Sequence, residues 1–378
     1  MRYYHRIAEL TLKRYLNAFP VVGITGPRQS GKSTLLRHLL PEYTYITFDD
    51  PKHKLAFYDD PEGFLKLRNK HIIFDEVQYV PEIFNYIKLY VDAERFLYGN
   101  FILTGSSQFQ FLRHATESLA GRIGLLSLLP FQYCEMPHAL RQDSLFQGAY
   151  PELVLRDYQE SALWYAAYLE TYLSKDVRAI ANIGDIRDFQ RLIQLLAANV
   201  SQLLDMSMYA RDLGVSVPTV KRWISILEAS YIIFLLPPFY ENYGKRIIKS
   251  PKVYFYDTGL ISYCTGITTF TQYDNGPLAG PLFENYIISE IFKRELHLAT
   301  HHSLYYLRTQ DKAEIDLIID RKTNQSFIEI KKSATFNPKM IQTMLQYAPE
   351  NAECLVLYNG DTYEHRGVKI INFNEYLT

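Results

Sequence analysis

The chain has 378 residues, 48% of them hydrophobic, so it can bury the cores of roughly two or three domains, and global disorder is excluded. Its 40 Lys and Arg residues are balanced by 41 Asp and Glu residues, unlike the overall charge of a strongly basic nucleic-acid protein. Three cysteines without paired spacing argue against a disulfide framework or a zinc knuckle and favour a reducing, cytoplasmic location.

The first part of the chain alternates short apolar strands with helical patterns. An amphipathic helix is predicted over residues 3–18. Strands are predicted at residues 21–25, 44–48, 71–74, 101–104 and 123–128. Helical patterns separate the first four strands, and this βαβ rhythm predicts a mostly parallel sheet covered by helices. We therefore expect an α/β domain over residues 1–150.

Residues 26–33 match the pattern G-x-x-x-x-G-K-[ST] between a strand and a predicted helix. Glycines let such a loop wrap a phosphate, and its backbone N–H groups and the helix N-terminus then face the anion. Lys32 is predicted to reach the β- and γ-phosphates, and Ser33 to bind Mg²⁺ through its hydroxyl oxygen. We expect a nucleoside triphosphate here, first of all ATP. The predicted nucleotide contacts are Gly26, Pro27, Arg28, Gln29, Ser30, Gly31, Lys32, Ser33 and Thr34.

The strand predicted at residues 71–74 is followed by two carboxylates. Asp75 is predicted to bind Mg²⁺, and Glu76 to polarise the attacking water. The strand at 101–104 also leads into hydroxyl groups, and its carboxyl end is expected beside the metal site in such a sheet. Thr104, Ser106 or Ser107 could bond the γ-phosphate or the water, and we take Ser106 as the nucleotide contact; a polar turn is the alternative.

Two arginines are candidates for supplying positive charge to a transition state. Arg28 lies in the phosphate loop, and Arg122 closes the sequence Leu-Ala-Gly-Arg. A positioned arginine can accelerate phosphoryl transfer by orders of magnitude. Arg122 is the preferred candidate, although Arg28 could be a solvated loop residue and Arg122 a salt-bridge partner.

Beyond residue 150 the pattern becomes helical, and a helix–turn–helix is predicted at residues 206–213 and 217–229. Residues 211–252 carry seven Lys or Arg against three Asp or Glu. The predicted DNA contacts are Thr219, Lys221 and Arg222 on the second helix and Lys245 and Arg246 in a basic turn. A protein–protein or interdomain role is the alternative. The most hydrophobic run, residues 231–240, has about half the length that a bilayer requires.

Two strands joined by a polar turn are predicted at residues 313–320 and 326–332. Residues two apart on a strand share a face, so Glu329 and Lys331 project together, and Asp316 can face them from the neighbouring strand. Two carboxylates and an ammonium can hold Mg²⁺ and orient a water for phosphodiester attack. Charged residues on an exposed strand face would give the same pattern.

Several motifs resemble one family in their order along the chain. They are the phosphate loop and residues 74–78 (FDEVQ), 103–107 (LTGSS), 119–122 (LAGR), 148–152 (GAYPE), 255–260 (FYDTGL), 281–285 (PLFEN) and 328–331 (IEIK). The chain resembles the AAA+-type ATPases of bacteria and archaea that carry a C-terminal domain of unknown function. It departs at Ala149, where a second glycine is expected.

The resemblance implies an AAA+ module, a winged helix and a terminal domain similar to PD-(D/E)xK nucleases. Asp316, Glu329 and Lys331 would form the nuclease-like core, and Glu284 would be an additional acidic residue at its metal. The expected division is an ATPase domain at 1–150, a helical and winged-helix region at 151–245, and a small α/β nuclease-like domain at 246–378. AAA+ relatives often assemble, so a homo-oligomer is plausible.

Two functional readings follow. The chain could be an ATPase that positions DNA for its own nuclease domain, or an ATP-gated regulatory or interaction protein whose nuclease-like domain binds nucleic acid without cutting it. A metabolic kinase is disfavoured, because the adjacent Asp75 and Glu76 suit activation of a water.

Overall fold

The computed structural model describes residues 3–66, 71–94, 96–105, 108–172, 186–239 and 249–378, and at residues 108–110 only the backbone. Within these residues a parallel α/β domain is followed by a mainly helical region and then by a second domain built on a six-stranded sheet. Among the helices described, none is both long and apolar enough to cross a membrane.

The first domain is the parallel α/β unit that the alternating pattern predicted. Its elements are α1 (Ala8–Leu16), β1 (Val21–Thr25), α2 (Lys32–Leu39), β2 (Thr44–Thr47), α3 (Pro51–Asp59), α4 (Pro61–Lys66), β3 (Ile72–Asp75), α5 (Ile83–Ala93), β4 (Phe101–Thr104), α6 (Gln108–Leu119) and β5 (Ile123–Ser127). All five strands are parallel, in the order β2-β3-β4-β1-β5. β1, β3 and β4 are buried along their whole length, because apolar clusters cover both faces of the sheet.

The N-terminal helix is shorter than the sequence predicted. It begins at Ala8 rather than at residue 3, because side chains hold the preceding backbone. The Arg6 N–H donates to Glu9 Oε1 at 2.8 Å, and the Ile7 N–H donates to Glu135 Oε1 at 2.6 Å. From this segment the Arg6 side chain also contacts the phosphate loop at the Ser30 carbonyl.

The middle region contains the predicted helix–turn–helix. Its elements are α7 (Ser144–Gln147), α8 (Pro151–Leu155), α9 (Ser161–Tyr172), α10 (Ile186–Ala198), α11 (Met206–Leu213), α12 (Val217–Ala229), β6 (Ile233–Leu236) and β7 (Lys252–Phe255). Both helices of the motif have the predicted bounds. Gly214 ends α11 in a left-handed conformation, and the Ser216 hydroxyl accepts a hydrogen bond from the Thr219 N–H at the start of α12.

The C-terminal elements complete a mixed sheet. They are α13 (Thr258–Thr265), α14 (Phe270–Asn275), α15 (Ala279–Leu298), β8 (Ser303–Arg308), β9 (Glu314–Asp320), β10 (Gln325–Lys331), α16 (Gln342–Tyr347), β11 (Glu353–Tyr358), β12 (Tyr363–His365), β13 (Val368–Asn372) and α17 (Phe373–Leu377). The strand order is β12-β13-β11-β10-β9-β8. β9 and β10 are neighbouring strands, as predicted, and they pair in antiparallel register. The stretch at 267–281 contains α14, whose start is fixed by a capping box between Thr269 and Gln272.

The second and third predicted regions are joined by a pair of strands and by a common hydrophobic core. β6 pairs with β7 across the predicted boundary at residue 245, and one hydrophobic core extends from Leu129 to Leu377. The long helix α15 packs against β7 and β10 and also against α1 and β5 of the first domain. This helix therefore contacts both sheets.

Candidate functional site

The loop after β1 has a backbone shape that depends on its glycines. Gly26 has φ +139° and Gly31 has φ +95°, in the region that glycine enters most readily. A Cβ atom on Gly26 would lie 2.0 Å from the Leu128 carbonyl oxygen, so a larger residue cannot fit without movement. α2 begins at Lys32 directly after Gly31 and points its N-terminus into the loop. A loop of this kind is suited to holding an anion.

Some of the predicted loop contacts are bonded within the protein, and most of them line the adjoining cavity. Lys32 is buried, and its ammonium donates to the carbonyl oxygens of Gly26 at 2.9 Å and Pro27 at 2.8 Å. The Ser30 carbonyl accepts a bond from the guanidinium of Arg6 at 3.0 Å. The contacts that line the adjoining cavity are Arg28, Gln29, Gly31, Lys32, Ser33 and Thr34.

Asp75 stands at the carboxyl end of β3 and is only 7% exposed. Its Oδ2 accepts hydrogen bonds from the Ser33 hydroxyl at 3.1 Å and from the Tyr45 phenol. Its Oδ1 accepts from the Thr104 hydroxyl and from the Glu76 N–H at 3.1 Å. The Ser33 and Asp75 oxygens fit Mg²⁺, since this ion uses one or two protein side chains and keeps several waters.

Glu76 follows β3 with a left-handed backbone, φ +57°. Gln78 donates a hydrogen bond from its side-chain amide to the Glu76 carboxylate, and Glu76 lines the same cavity as the loop. A non-glycine residue in this conformation is uncommon and often marks a functional position. Glu76 and Ser33 therefore border one space, as the sequence predicted.

The cavity beside the loop has a volume of about 1280 Å³. Its walls come from the N-terminal segment, the loop, α2 and the helices at 151–172. Basic side chains outnumber acidic ones among the lining residues: Arg6, Arg28, Lys32, Arg37 and Arg156 against Glu76 and Glu152. This charge balance suits a polyanionic ligand.

Arg122 does not lie at this site, and the prediction that it serves the site of its own chain is wrong. Its carbonyl accepts a bond from the Val21 N–H, which places it beside the start of β1, whereas the phosphate loop follows the end of β1. Its guanidinium pairs with Asp92 at 2.6 Å. The salt-bridge alternative therefore describes its position.

The C-terminal cluster assembles as predicted on β9 and β10. The Lys331 ammonium lies 3.2 Å from Asp316 Oδ2 and 2.6 Å from Glu329 Oε1. Burial, together with the neighbouring Asp316, raises the pKa of Glu329 to about 8 against the lowering effect of Lys331. Glu329 Oε2 is buried and has no hydrogen-bond partner within the described part of the chain. A cation could satisfy this oxygen.

Glu284 lies close to this cluster but has its own partners. Its carboxylate accepts from the Lys252 ammonium at 3.1 Å and from the Tyr254 phenol at 2.6 Å. Burial raises the pKa of Glu284. The charge of Lys252 lowers this pKa, and the charge of Asp316 raises it. Lys252 also pairs with Glu314. In the ranges that the structure describes, no three His, Cys, Asp or Glu side chains form a metal-binding group.

The helix–turn–helix presents part of its predicted contact surface. Lys221 and Arg222 are exposed on α12, and Thr219 is half-buried. The opposite face of α12 is buried through Val220, Ile224 and Leu227, which recur at helical spacing. The predicted DNA contacts Lys245 and Arg246 lie outside the described residues. The predicted nucleotide contact Ser106 also lies outside them.

Sequence reasoning missed two residues at the nucleotide site. Tyr45 reaches Asp75 from β2, and Arg6 reaches the loop from the N-terminal segment. Neither belongs to a recognisable motif, and the position of β2 beside β3 could not be inferred from the sequence. Thr104, by contrast, was placed beside the metal site by the direction of its strand, and the structure confirms that position.

Three family models match the chain in sequence. Residues 18–137 match an AAA domain, residues 139–271 match a domain of unknown function (DUF8612), and residues 279–376 match another (DUF4143). The fold similarity to solved structures is weaker. A Walker-type ATPase of Pyrococcus abyssi is 16% identical, with a TM-score of 0.44 over 68% of this chain and 94% of that one. DnaA of Aquifex aeolicus, bound to AMPPCP, is 13% identical, with a TM-score of 0.30 over 59% and 86%. Both TM-scores are too low to support a comparison of function.

Curated relatives extend over nearly the whole chain. Uncharacterized proteins of Mycobacterium tuberculosis and Mycobacterium bovis are each 30% identical over 368 residues, which is 96% of this chain and 80% of theirs. An uncharacterized protein of Haemophilus influenzae is 21% identical over 94% of this chain and 93% of its own length. The chain therefore belongs to one family with these mycobacterial proteins and carries an AAA domain at residues 18–137.

Proposed function

We propose that this chain binds ATP with Mg²⁺ and hydrolyses it. The observation that carries the proposal is the hydrogen bond of 3.1 Å from Ser33 Oγ to Asp75 Oδ2. It lies beside a phosphate-type loop whose carbonyl oxygens bind the Lys32 ammonium. The AAA domain match over the same residues supports it. When bound, Mg²⁺ would supply positive charge to the phosphate oxygens.

The side chains have distinct roles in this proposal. The loop N–H groups and the Lys32 ammonium hold the phosphates, and Ser33 and Asp75 hold the metal. Glu76 accepts a proton from the attacking water, and Gln78 holds its carboxylate. Arg28 lines the cavity and is the candidate within this chain for supplying positive charge to the transferred phosphoryl group.

The hydrolytic role is tested by comparing Glu76→Gln with the wild-type chain. We expect the variant to bind ATP normally and to lose hydrolysis by about 10²- to 10⁴-fold, as for removal of a general base. Glu82→Gln is the matched control, because Glu82 is exposed and bonds Tyr58 instead. Equal hydrolysis rates in Glu76→Gln and the control would contradict the role of Glu76.

A second function, Mg²⁺-dependent cleavage of DNA at the C-terminal cluster, is favoured by the orphaned oxygen of Glu329. The Lys331 ammonium contacts both Asp316 and Glu329, so the three groups share one spot at which a bound metal ion could orient a water. We propose a nuclease-like fold for this domain, with Glu284 as its additional acidic residue. The test compares cleavage of supercoiled plasmid DNA in the presence of Mg²⁺ by the wild-type chain and by Lys331→Ala.

Lys332→Ala is the matched control for that test, because Lys332 is the next residue on the chain and pairs with Asp274 instead. Cleavage that is lost only in Lys331→Ala would establish the centre. If the wild-type chain hydrolyses ATP but cuts no DNA, the alternative role would be favoured: an ATP-gated regulatory protein whose C-terminal domain binds nucleic acid without cutting.

We also propose that α11, α12 and the β6–β7 pair form a winged helix that contacts DNA. Exposed Lys221 and Arg222 support this, since a recognition helix reaches phosphates or bases from such positions. In Lys221→Ala/Arg222→Ala, binding of duplex DNA should weaken and its salt dependence should fall by about 0.9 per lost phosphate contact. The control is Lys13→Ala/Arg14→Ala, because Lys13 and Arg14 are likewise two consecutive, exposed basic residues. Equal DNA binding by both double variants would contradict this surface.

The division at residues 150 and 245 remains a proposal. Family models divide the chain near residues 138 and 275 instead, and β6 and β7 join the two sides of residue 245. An assembly of several chains also remains a proposal, which sedimentation with and without ATP would test.

A further inference from the structure

The Asp75 carboxylate is fixed by more donors than the predicted site contains. Ser33 and Glu76 belong to the recognised motifs, and Thr104 follows from the direction of its strand. The fourth donor is Tyr45, which the motifs do not include. Its phenol donates to Asp75 Oδ2, the same oxygen that accepts from Ser33.

The position of Tyr45 follows from the order of the strands. β2 lies beside β3 in parallel register, with Tyr45 opposite Ile73 and Thr47 opposite Asp75. Tyr45 is therefore two residues short of the level of Asp75, and its long side chain reaches forward to the carboxylate. A shorter side chain at this position could not span that distance.

The ring of Tyr45 is also fixed from the side of the phosphate loop. The guanidinium of Arg37 stacks over the ring, with its central carbon 4.1 Å from the ring centre. Arg37 lies on α2, the same helix that begins with Lys32 and Ser33. Tyr45 therefore connects the helix that carries the phosphate loop to the strand that carries the acidic metal ligand.

We propose that Tyr45 is a positioning residue for the metal, holding Asp75 Oδ2 in the orientation in which Asp75 and Ser33 together take Mg²⁺. This inference rests on the proposed ATP–Mg²⁺ site. Carboxylates that bind metals are commonly held by such outer partners, and loss of one typically costs about 10- to 100-fold in metal affinity or activity. Mg²⁺ is demanding in this respect, because it requires near-ideal octahedral geometry.

A purely structural tyrosine would behave differently. Tyr43, two residues earlier, donates its phenol to the Gly99 carbonyl at 2.7 Å and is a tyrosine of that kind. Removing its hydroxyl should change stability alone. Removing the hydroxyl of Tyr45 should change the response to Mg²⁺, which a structural hydrogen bond would leave unaltered.

The test compares Tyr45→Phe with Tyr43→Phe in the full chain. ATP hydrolysis is measured across a titration of MgCl₂, and ATP binding is measured separately in EDTA. For Tyr45→Phe we expect the half-saturating Mg²⁺ concentration to rise by about 10-fold or more, with metal-free ATP binding unchanged. Tyr43→Phe should match the wild-type chain in both. The aromatic ring and its Arg37 stack remain in Tyr45→Phe, and thermal melting verifies that both variants fold.

A Mg²⁺ titration of Tyr45→Phe that coincides with that of the wild-type chain would overturn the proposal. So would a change in metal-free ATP binding of equal size, because the hydroxyl would then act on the loop rather than on the metal. Failure of the underlying function has another signature: the wild-type chain itself would bind no ATP at any Mg²⁺ concentration, and both proposals would fall.

Discussion

At the scale of single residues, the phosphate loop depends most on Gly26. An alanine there would need φ +139° and would place its Cβ 2.0 Å from the Leu128 carbonyl oxygen. We expect Gly26→Ala to lower the free energy of unfolding by about 1–3 kcal/mol through backbone strain and to weaken ATP binding. Thermal melting and ATP titration measure the two effects.

Gly121→Ala is the control for that prediction. Gly121 also has a positive φ, +74°, but a Cβ there would meet no atom within 4 Å. It should therefore cost only the intrinsic penalty of a left-handed alanine, about 1–2 kcal/mol, with ATP binding preserved. Equal loss of ATP binding in the two variants would show that the contact with Leu128 is not what shapes the loop.

The motifs made most residues of the nucleotide site predictable. The loop, Asp75 and Glu76 follow from local sequence, and the direction of β4 places Thr104 beside Asp75. The same reasoning should have excluded Arg122, because it precedes its strand and therefore lies at the opposite edge of a parallel sheet. Tyr45 could not be predicted, since its role depends on which strand lies beside β3.

At the scale of secondary structure, the start of α12 is set by one hydroxyl. Ser216 Oγ accepts from the Thr219 N–H at 3.2 Å, so Ser216→Ala should lower the free energy of unfolding by about 1 kcal/mol. The control is Ser225→Ala on the same helix. Ser225 donates back to the Lys221 carbonyl, a bond that slightly disfavours helices, so its removal should be neutral or mildly stabilising.

Urea denaturation of both variants measures this difference. A midpoint for Ser216→Ala that is no lower than that of Ser225→Ala would show that the cap does not stabilise the folded chain.

Helix ends were predictable wherever a local signal marked them. Gly214 and Ser216 fixed the helix–turn–helix, whose observed bounds equal the predicted ones. The same type of signal, a threonine followed three residues later by a glutamine, marks α14 at Thr269 and Gln272 and was overlooked. The start of α1 was harder to predict, because Glu135, far along the chain, binds the Ile7 N–H in addition to the local bond from Arg6 to Glu9.

At the scale of the whole molecule, α15 connects the two sheet-containing domains through a buried histidine. His297 Nε2 accepts from the Leu129 N–H at 2.9 Å, just beyond β5. Burial, together with the charges of Arg6 and Lys293, lowers the pKa of His297 well below its ordinary value. The histidine is therefore neutral in the folded chain at neutral pH.

This pKa predicts how stability responds to acid. Between the unfolded pKa of about 6.5 and the lower folded pKa, the unfolded chain binds more protons, so the free energy of unfolding falls as pH falls. Urea midpoints between pH 7.5 and 5.5 should therefore fall less steeply in His297→Gln than in the wild-type chain. His138→Gln, at an exposed position, should keep the wild-type slope. Parallel slopes for all three would contradict a neutral buried His297.

Fold class and the order of the regions were predictable because they follow from local periodicity. The shared core from Leu129 to Leu377 was not, because it depends on contacts between distant segments. Glu284 illustrates the same limit: the family resemblance implied a position near Asp316, but its bonds to Lys252 and Tyr254 come from a strand whose position only the fold reveals.

The most direct test of the central claim is ATP binding by the purified chain with Mg²⁺, compared with Lys32→Ala, by isothermal titration. The wild-type chain should bind ATP, and Lys32→Ala should lose most of that affinity, because its ammonium lies against the loop that would hold the phosphates. An absence of binding in the wild-type chain, or equal binding by both proteins, would contradict the account.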